Sequence, residues 1–187
     1  SRAHPYSLSA APDGRSLRIT AAHLGDGSAA LAQVRVGSRV MIEGPYGRLH
    51  AGVRTQRKVL LLAGGIGITP MRALLEELPQ GPGDVTLIYR AHGDSDLIFS
   101  GELMALARDR GARIFTVLGP RAQSRPSWLP QSAAHLSDAD ALRHLVPDLA
   151  HHDVYLCGDL AWMELARQAV LAVGVPDTHI HLERFAY

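Results

Sequence analysis

The sequence predicts an α/β protein. Its main part is a five-stranded parallel sheet with helices on both faces, preceded by a partial antiparallel β-barrel. From Arg54 onward, short apolar segments alternate with segments of helical periodicity, which is typical of a parallel sheet buried on both faces. Before Arg54, short segments of alternating polarity are joined by turns rich in proline and glycine, as in a barrel or sandwich. We therefore divide the chain into domains at residues 1–53 and 54–187.

The second part alternates strands with helices. Apolar runs predict strands at residues 58–63, 84–90, 112–118, 153–157 and 179–182. Apolar spacing predicts helices at residues 69–78, 101–110, 138–145 and 161–173. Ser137 is placed to cap the third of these helices, and Gly174 is placed to end the fourth. Residues 119–136 are rich in proline and serine, so we expect a surface loop there.

The first part is predicted to be rich in strands, at residues 4–9, 16–21 and 39–43. Ser28 precedes Ala29 in the way an N-cap does, which predicts a short helix after it. About three or four strands are too few to close a barrel, and soluble proteins avoid unpaired sheet edges. We therefore expect this chain to be the later part of a longer protein, beginning inside its first domain.

Composition excludes several classes of protein. Nineteen Lys and Arg against eighteen Asp and Glu give a net charge of +1, so the totals predict no basic face for nucleic acid. A single cysteine, Cys157, excludes an intramolecular disulfide framework and is typical of a reducing compartment. The longest apolar run, at residues 59–63, is too short to cross a bilayer, and no leader peptide is recognisable. We expect a soluble, intracellular type of domain.

A glycine-rich segment links the strand at 58–63 to the following helix. It consists of Gly64-Gly65-Ile66-Gly67-Ile68-Thr69-Pro70. Glycines let a diphosphate approach the backbone, and the amides and dipole of the helix N-terminus favour an anion. Pro70 suits a first helical position. The alternative is a tight turn that binds nothing. If the segment binds a dinucleotide, we expect Gly67→Val to abolish binding and leave the fold largely intact.

Arg90 ends the next predicted strand, where the dinucleotide-binding fingerprint usually has an acid. An acid there accepts the ribose hydroxyls of NAD, whereas an arginine favours the additional phosphate of NADP. This favours NADP over NAD, and we expect Arg90→Ala to weaken NADPH binding more than NADH binding. The alternative is an arginine solvated at the end of its strand.

Four separated segments form a pattern along the chain. They are His4-Pro5-Tyr6-Ser7, Gly25-Asp26-Gly27-Ser28, the glycine-rich segment, and Cys157-Gly158 together with Glu183 and Phe185. In order and spacing they resemble the ferredoxin–NADP reductase superfamily, and most closely its ferric reductase and NADPH oxidase branch. In that branch the first motif begins with histidine, as here, whereas most relatives have arginine. The resemblance runs over nearly the whole chain.

The resemblance implies that the barrel binds FAD and that the parallel-sheet domain binds NADP, with NAD as the other choice. Tyr6 would lie against the flavin ring, and Ser7 would donate to the ring nitrogen that accepts hydride. The FAD-binding set would be completed by His4, Pro5, Gly25, Gly27 and Ser28. Three of these residues have an ordinary alternative: Tyr6 is then a half-buried strand aromatic, His4 an exposed histidine and Ser28 an N-cap.

At the other end, the resemblance places Cys157 and Gly158 beside the nicotinamide and Glu183 near the reaction centre. Phe185 resembles the aromatic residue that shields the flavin. Asp159 stands where the family usually has proline, and it can cap the next helix. Alternatively, Cys157 is a small buried hydrophobic residue and Glu183 an exposed acid.

The function implied is electron transfer from NADPH or NADH through FAD to a haem, iron–sulfur or ferric acceptor. In this branch the acceptor is commonly a membrane haem domain upstream, which would make the chain its cytoplasmic tail. Two alternatives remain: a dehydrogenase without flavin, and a nucleotide-sensing domain without turnover. His179 and His181 have a spacing that can bind a metal ion, but no third ligand accompanies them, so we expect no metal site.

Overall fold

The computed structural model describes residues 4–23, 25–79 and 81–183 of the chain. Five strands form one parallel sheet: β1 (Lys58–Gly64), β2 (Val85–Ala91), β3 (Arg113–Leu118), β4 (His152–Cys157) and β5 (Ile180–Leu182). The helices are α1 (Asp26–Ala32), α2 (Ile68–Glu77), α3 (Ser100–Arg110), α4 (Asp138–Leu145) and α5 (Leu160–Val173). The predicted five-stranded α/β fold is confirmed, with element bounds within one residue of those expected after residue 54.

The core has two layers because successive residues of a strand point to opposite faces of the sheet. On one face, Leu61 of β1 packs in a cluster with residues of α2 and α3. On the other face, Leu60 and Leu62 pack in a cluster with α4 and α5. The interior residues of β1 are fully buried, so this central strand has the continuous apolar sequence of a two-sided sheet.

The strand order β3-β2-β1-β4-β5 creates a crevice. The chain leaves β1 toward β2 on one side and later returns to β4 on the other side. The segments that follow β1 and β4 therefore leave the sheet toward opposite faces, since α2 packs on one face and α5 on the other. Ligands of open α/β sheets bind in the crevice between such segments. The register pairs Ala63 with Cys157 and Gly64 with Arg90, which brings these predicted site residues to one edge.

The segment 119–136 is only partly a surface loop, so that prediction was wrong for its middle. Trp128 is fully buried in the cluster with α4 and α5, and its indole Nε1 donates to the carbonyl of Asp138 at 3.1 Å. The Trp162 indole of α5 donates to the carbonyl of Trp128, also at 3.1 Å. Proline and serine dominate the composition of the segment, but one aromatic side chain anchors it.

The first part of the chain contains little regular β-structure. Among its described residues, the β-pairing is one isolated antiparallel bridge between Leu8 and Ile19. The strand predicted at 39–43 is not formed, and Met41 there is fully exposed. A strand needs a neighbour to satisfy its backbone groups, and the described residues offer none to this segment. The barrel fragment and the boundary at residue 53 stay predictions.

Ser28 is not the N-cap that the sequence predicts. Helix α1 begins at Asp26, with Gly25 as its N-cap, so Ser28 is the third helical residue. Its hydroxyl accepts a hydrogen bond from the Gly25 amide at 3.1 Å and donates to the Gly25 carbonyl at 2.8 Å. Ser28 therefore holds the cap residue from inside the helix.

An ion-pair network fastens the first part of the chain to the sheet domain. Arg72 of α2 is buried, and its guanidinium donates to the Ser9 carbonyl at 3.0 Å and to Glu102 of α3 at 2.8 Å. Arg18 also donates to Glu102, at 2.9 Å, and to the Ser9 carbonyl. Because both arginines share these two acceptors, the position of the first segment depends on α2 and α3.

Candidate functional site

A cleft of about 1180 Å³ lies at the carboxyl ends of the strands. Its walls come from the turns after β1, β2, β3 and β4, and Ala22 of the first segment also lines it. The wall residues used below are Gly65, Ile66, Arg90, Arg121, Asp159 and Trp162. The cleft therefore lies where the first segment meets the crevice of the sheet.

The turn between β1 and α2 presents Gly65 to the cleft. Gly65 has φ +54°, a left-handed conformation that favours glycine, and a Cβ there would meet no atom within 4 Å. Ile66, which the sequence analysis did not single out, lines the cleft beside it. Backbone open to a cleft just before a helix N-terminus is an arrangement that can accept an anion.

This turn is supported from the protein interior by Ile68, Thr69 and Pro70. All three are buried in α2, and they are not among the residues that line the cleft. The Thr69 hydroxyl donates to the carbonyl of Ile66 at 3.1 Å, which braces the turn. Pro70 is the third helical residue, not the first, and it is tolerated because first-turn amides have no partner within the helix.

Gly67 packs directly on the end of β4. A Cβ on Gly67 would lie 2.1 Å from the carbonyl oxygen of Cys157, so a larger residue would collide with backbone. The expectation that Gly67→Val leaves the fold intact is therefore wrong. Cys157 itself is fully buried, and burial raises the pKa of its thiol to about 12. The thiol is therefore neutral at ordinary pH, and it packs among the buried residues at the end of β4.

Trp162 forms part of the cleft wall and was missed by the sequence analysis. Its indole ring lies against Gly64 and Gly158, since a Cβ on either glycine would come within 2.8 Å of ring atom Cε3. The glycines that end β1 and follow β4 therefore make room for one aromatic ring. No local sequence pattern reveals this, because the two glycines are far apart in the chain.

Arg90 is buried, and its guanidinium is engaged by the protein backbone. Nη2 donates to the carbonyl of Gly119 at 2.7 Å, and Nη1 donates to the carbonyls of Ala91 and Val117. Its Nε is also buried, without a hydrogen-bond partner among the described residues. Burial, and secondarily the charge of Arg121, lowers the pKa of Arg90. Arg90 thus orders the turn after β3 from one wall of the cleft.

Arg121, which the sequence analysis did not single out, is the exposed cation of the cleft wall. About two thirds of its side chain is exposed, and its Nη2 lies 3.2 Å from Oδ1 of Asp159. Asp159 is the N-cap of α5, accepting from the amide of Trp162 at 3.2 Å, as the sequence predicts. The sequence does offer one signal for Arg121, because it is a basic residue that comes shortly after the end of a predicted strand.

The residues expected to hold FAD phosphates come together at the start of α1. A Cβ on Gly27 would lie 2.9 Å from Cε1 of His4, so the imidazole rests on this glycine. Gly25 and Ser28 are joined by the two hydrogen bonds of the helix start. Tyr6 has 37% of its surface exposed; Pro5 is exposed, and Ser7 is half-buried.

Glu183 lies in contact with Gly47. A Cβ on Gly47 would lie 2.2 Å from the Glu183 carboxylate, and Gly47 has φ +98°. Burial raises the pKa of Glu183, and the charge of Glu183 contributes to the raised pKa of Cys157. Phe185 lies outside the described residues.

Two further features bear on the sequence predictions. The ring of His181 lies with Nε2 3.0 Å from the buried carboxylate of Asp153. Over residues 4–23, 25–79 and 81–183, no group of three or more His, Cys, Asp or Glu side chains could hold a metal ion. No helix within the described part of the chain has the length and apolar character needed to span a membrane.

The doubly wound sheet, the glycine turn and the crevice at the switch point define a dinucleotide-binding domain. A family model described as the oxidoreductase NAD-binding domain matches residues 61–168, and the chain belongs to this family. The predicted relation to the ferredoxin–NADP reductase-like superfamily is confirmed at this level. FAD and NAD(P) are the cofactors associated with these reductases.

Individual relatives agree with this assignment. The chain is 34% identical to the ferredoxin reductase component of 3-ketosteroid-9-alpha-monooxygenase from Mycolicibacterium smegmatis, over 96% of this chain and 49% of that protein. It is 30% identical to ferredoxin–NADP reductase B of Sorangium cellulosum, over 96% of this chain and 77% of that protein. The chain spans about half the length of several curated relatives that it matches.

Solved structures show the same fold. The cytochrome P450 reductase from Amycolatopsis superposes with a TM-score of 0.69 at 22% identity, covering 97% of this chain and 56% of that structure.

Proposed function

We propose that this protein is the reductase portion of an electron-transfer system that takes electrons from NADPH through FAD to a one-electron acceptor. The observation that carries the proposal is the cleft at the switch point, where the open glycine turn and the first segment face the same space. FAD, when bound, would supply the chemistry of a hydride acceptor and of a single-electron donor. The chain itself binds and orients the two cofactors.

The dinucleotide fits the residues of the turn after β1. Gly65 leaves open space where a side chain would stand, so a diphosphate can approach its backbone. The N-terminus of α2 adds favourable electrostatics for phosphate. Gly67 sets the depth of the crevice by packing on Cys157, and the buried neutral thiol excludes water beneath the nicotinamide end.

FAD is assigned to the first segment. The contact of His4 with Gly27, beside Gly25 and Ser28, gathers the expected phosphate-binding residues in one place. Val40, Met41 and Ile42 are exposed apolar residues of a segment that forms no strand here but could pair with one, which supports a barrel formed with further strands. Tyr6 is half-exposed, so its ring is available to stack on a flavin.

NADPH is the proposed coenzyme, with Arg121 as the residue that contacts its 2′-phosphate. Arg121 is largely exposed on the cleft wall, whereas the guanidinium of Arg90 is engaged by backbone carbonyls. Arg90 then acts by ordering the turn that carries Arg121. Cys157, Gly158 and Glu183 are proposed to surround the nicotinamide, with Ser7 on the flavin side.

The acceptor is proposed to be an iron–sulfur or haem centre. The Mycolicibacterium relative is a ferredoxin reductase component, and a relative from Vibrio cholerae is a flavohemoprotein. His4 as the first residue of the flavin motif favours the ferric reductase and NADPH oxidase branch. In that branch the acceptor is commonly a membrane haem domain upstream, which would make this chain its cytoplasmic tail.

The decisive experiment measures NADPH-dependent reduction of ferricyanide by the purified protein with FAD supplied. Flavin absorbance near about 450 nm that bleaches on adding NADPH, together with turnover, supports the proposal. Turnover without any flavin requirement would indicate a dehydrogenase instead. NADPH binding without turnover or bleaching would indicate a sensing domain.

A further inference from the structure

An ion pair reaches across the mouth of the cleft. Arg121 follows β3 and Asp159 follows β4, and the sheet order β3-β2-β1-β4 places two strands between their own strands. The guanidinium and carboxylate nevertheless meet at 3.2 Å. Both side chains are more than half exposed to solvent, so the contact is reversible at low cost.

We propose that Asp159 is a specificity-determining residue that competes with the coenzyme 2′-phosphate for Arg121. This inference rests on the proposed function, in which Arg121 contacts that phosphate. Asp159 holds the cation in the free protein, and the phosphate must displace the carboxylate. The effect is to reduce the preference for NADPH over NADH that Arg121 would otherwise provide.

Two contacts support this competition. Arg90, the other arginine among the described cleft residues, has its guanidinium on backbone carbonyls and cannot replace Arg121 as a phosphate ligand. Asp159 also accepts from the Trp162 amide, so its carboxylate stays at the rim after Arg121 leaves. The carboxylate therefore remains in place to re-form the ion pair, and it competes with the phosphate for the same guanidinium.

The test titrates adenosine 2′,5′-bisphosphate and adenosine 5′-monophosphate into the purified 187-residue chain by calorimetry at pH 8. These probes differ by the 2′-phosphate and require neither flavin nor turnover. Asp159→Asn keeps a helix N-cap but removes the charge. We expect it to tighten bisphosphate binding about three- to tenfold and to change monophosphate binding less than about twofold.

The matched control is Asp177→Asn. Asp177 pairs with Arg167 of α5 at 2.7 Å and is also exposed, but it does not line the cleft. We expect this variant to bind both probes as the unaltered chain does. An equal gain in bisphosphate affinity from the control would mean that total charge causes the effect, which overturns the proposal.

Arg121→Gln separates competition from simple repulsion. It should weaken bisphosphate binding toward that of the monophosphate, and Asp159→Asn should then add less than about twofold. A full gain from Asp159→Asn in the Arg121→Gln background would show direct repulsion of phosphate, contrary to the competition proposed here.

The remaining outcomes distinguish a failure of the competition from a failure of the NADP assignment on which it rests. If Arg121→Gln selectively weakens the bisphosphate but Asp159→Asn changes nothing, the competition is refuted and the NADP assignment stands. If the unaltered chain and Asp159→Asn both bind the two probes equally, both the NADP assignment and the competition are refuted. Absence of binding by either probe would refute the nucleotide site itself.

Discussion

Gly67 and Cys157 are in contact through their backbones at the base of the crevice: a methyl group on Gly67 would lie 2.1 Å from the Cys157 carbonyl oxygen. This contact joins the turn after β1 to the end of β4. The Cys157 side cannot shift easily, because Cys157 belongs to an interior, fully buried strand of the sheet.

The first prediction compares Gly67→Ala with Gly65→Ala. We expect Gly67→Ala to lower the free energy of unfolding by about 2–4 kcal/mol, since the methyl group collides with backbone. Gly65→Ala should cost about 1–2 kcal/mol, the strain of alanine in a left-handed conformation, and should weaken NADPH binding as well. Urea denaturation and coenzyme titration measure the two effects. Equal stability of the two variants would contradict the contact.

The second prediction concerns Arg90. Because its guanidinium holds the carbonyls of the turn after β3, Arg90→Ala should lower stability by about 1–3 kcal/mol. Because that turn carries Arg121, Arg90→Ala should weaken NADPH binding only through Arg121, and it should add less than about twofold to the loss in an Arg121→Ala background. Arg121→Ala is the matched variant, which should weaken NADPH selectively. A further selective loss of NADPH from Arg90→Ala in the Arg121→Ala background, measured as a ratio of the two KM values, would restore the original assignment.

The third prediction concerns attachment of the first segment. Arg72→Met removes the buried cation that contacts Ser9 and Glu102 and should lower stability by about 1–3 kcal/mol, because these acceptors then keep only Arg18 as a partner. Residues 4–20 should then become accessible to a protease before the sheet domain does. The matched control, Arg143→Met, removes an exposed pair with Asp140 and should cost under about 1 kcal/mol. Unchanged cleavage in Arg72→Met would indicate that other contacts hold the segment.

The fourth prediction is a loss of stability below pH 6.5. His152 is fully buried and its Nε2 has no hydrogen-bond partner among the described residues, so burial lowers its pKa. The unfolded chain therefore binds a proton that the folded chain excludes, and stability falls as pH drops below the ordinary value of 6.5. One such group contributes at most about 1.4 kcal/mol per pH unit.

Urea midpoints at pH 8, 7, 6 and 5.5 measure this dependence. His152→Leu removes the titrating group and should flatten the curve between pH 6.5 and 5.5, whatever its effect at pH 8. His144→Leu, on the exposed side of α4, is the matched control and should leave the slope as it is. A slope unchanged in His152→Leu would assign the pH dependence to other groups.

The sheet domain could be predicted from local pattern because each of its strands and helices is marked by its own periodicity. Apolar runs such as residues 59–63 are buried on both faces, and Gly174 ends α5 in a left-handed conformation, as expected of glycine there. The glycine turn was also predictable, because its position after a strand and before a helix is a property of neighbouring residues.

The first segment was less predictable for a physical reason. Its alternating residues have the composition of strands, but a strand forms only where another strand supplies hydrogen bonds. Leu8 and Ile19 form an antiparallel bridge, whereas Met41 has no pairing partner among the described residues. Composition therefore indicates which segments have a propensity for β-strands, whereas the presence of a pairing partner decides whether a strand forms.

The sequence alone determines the strands and helices of the sheet domain, the glycine turn, and the arginines that could contact a ligand. It also determines the edge of the sheet at which the site lies and the family to which the chain belongs. Only the tertiary structure decided which arginine is available to a ligand. Arg90 is engaged because the carbonyl of Gly119, 29 residues away, folds onto it, while Arg121 remains at the rim beside Asp159. Contacts between distant segments depend on three-dimensional packing, and no local pattern of residue types encodes them.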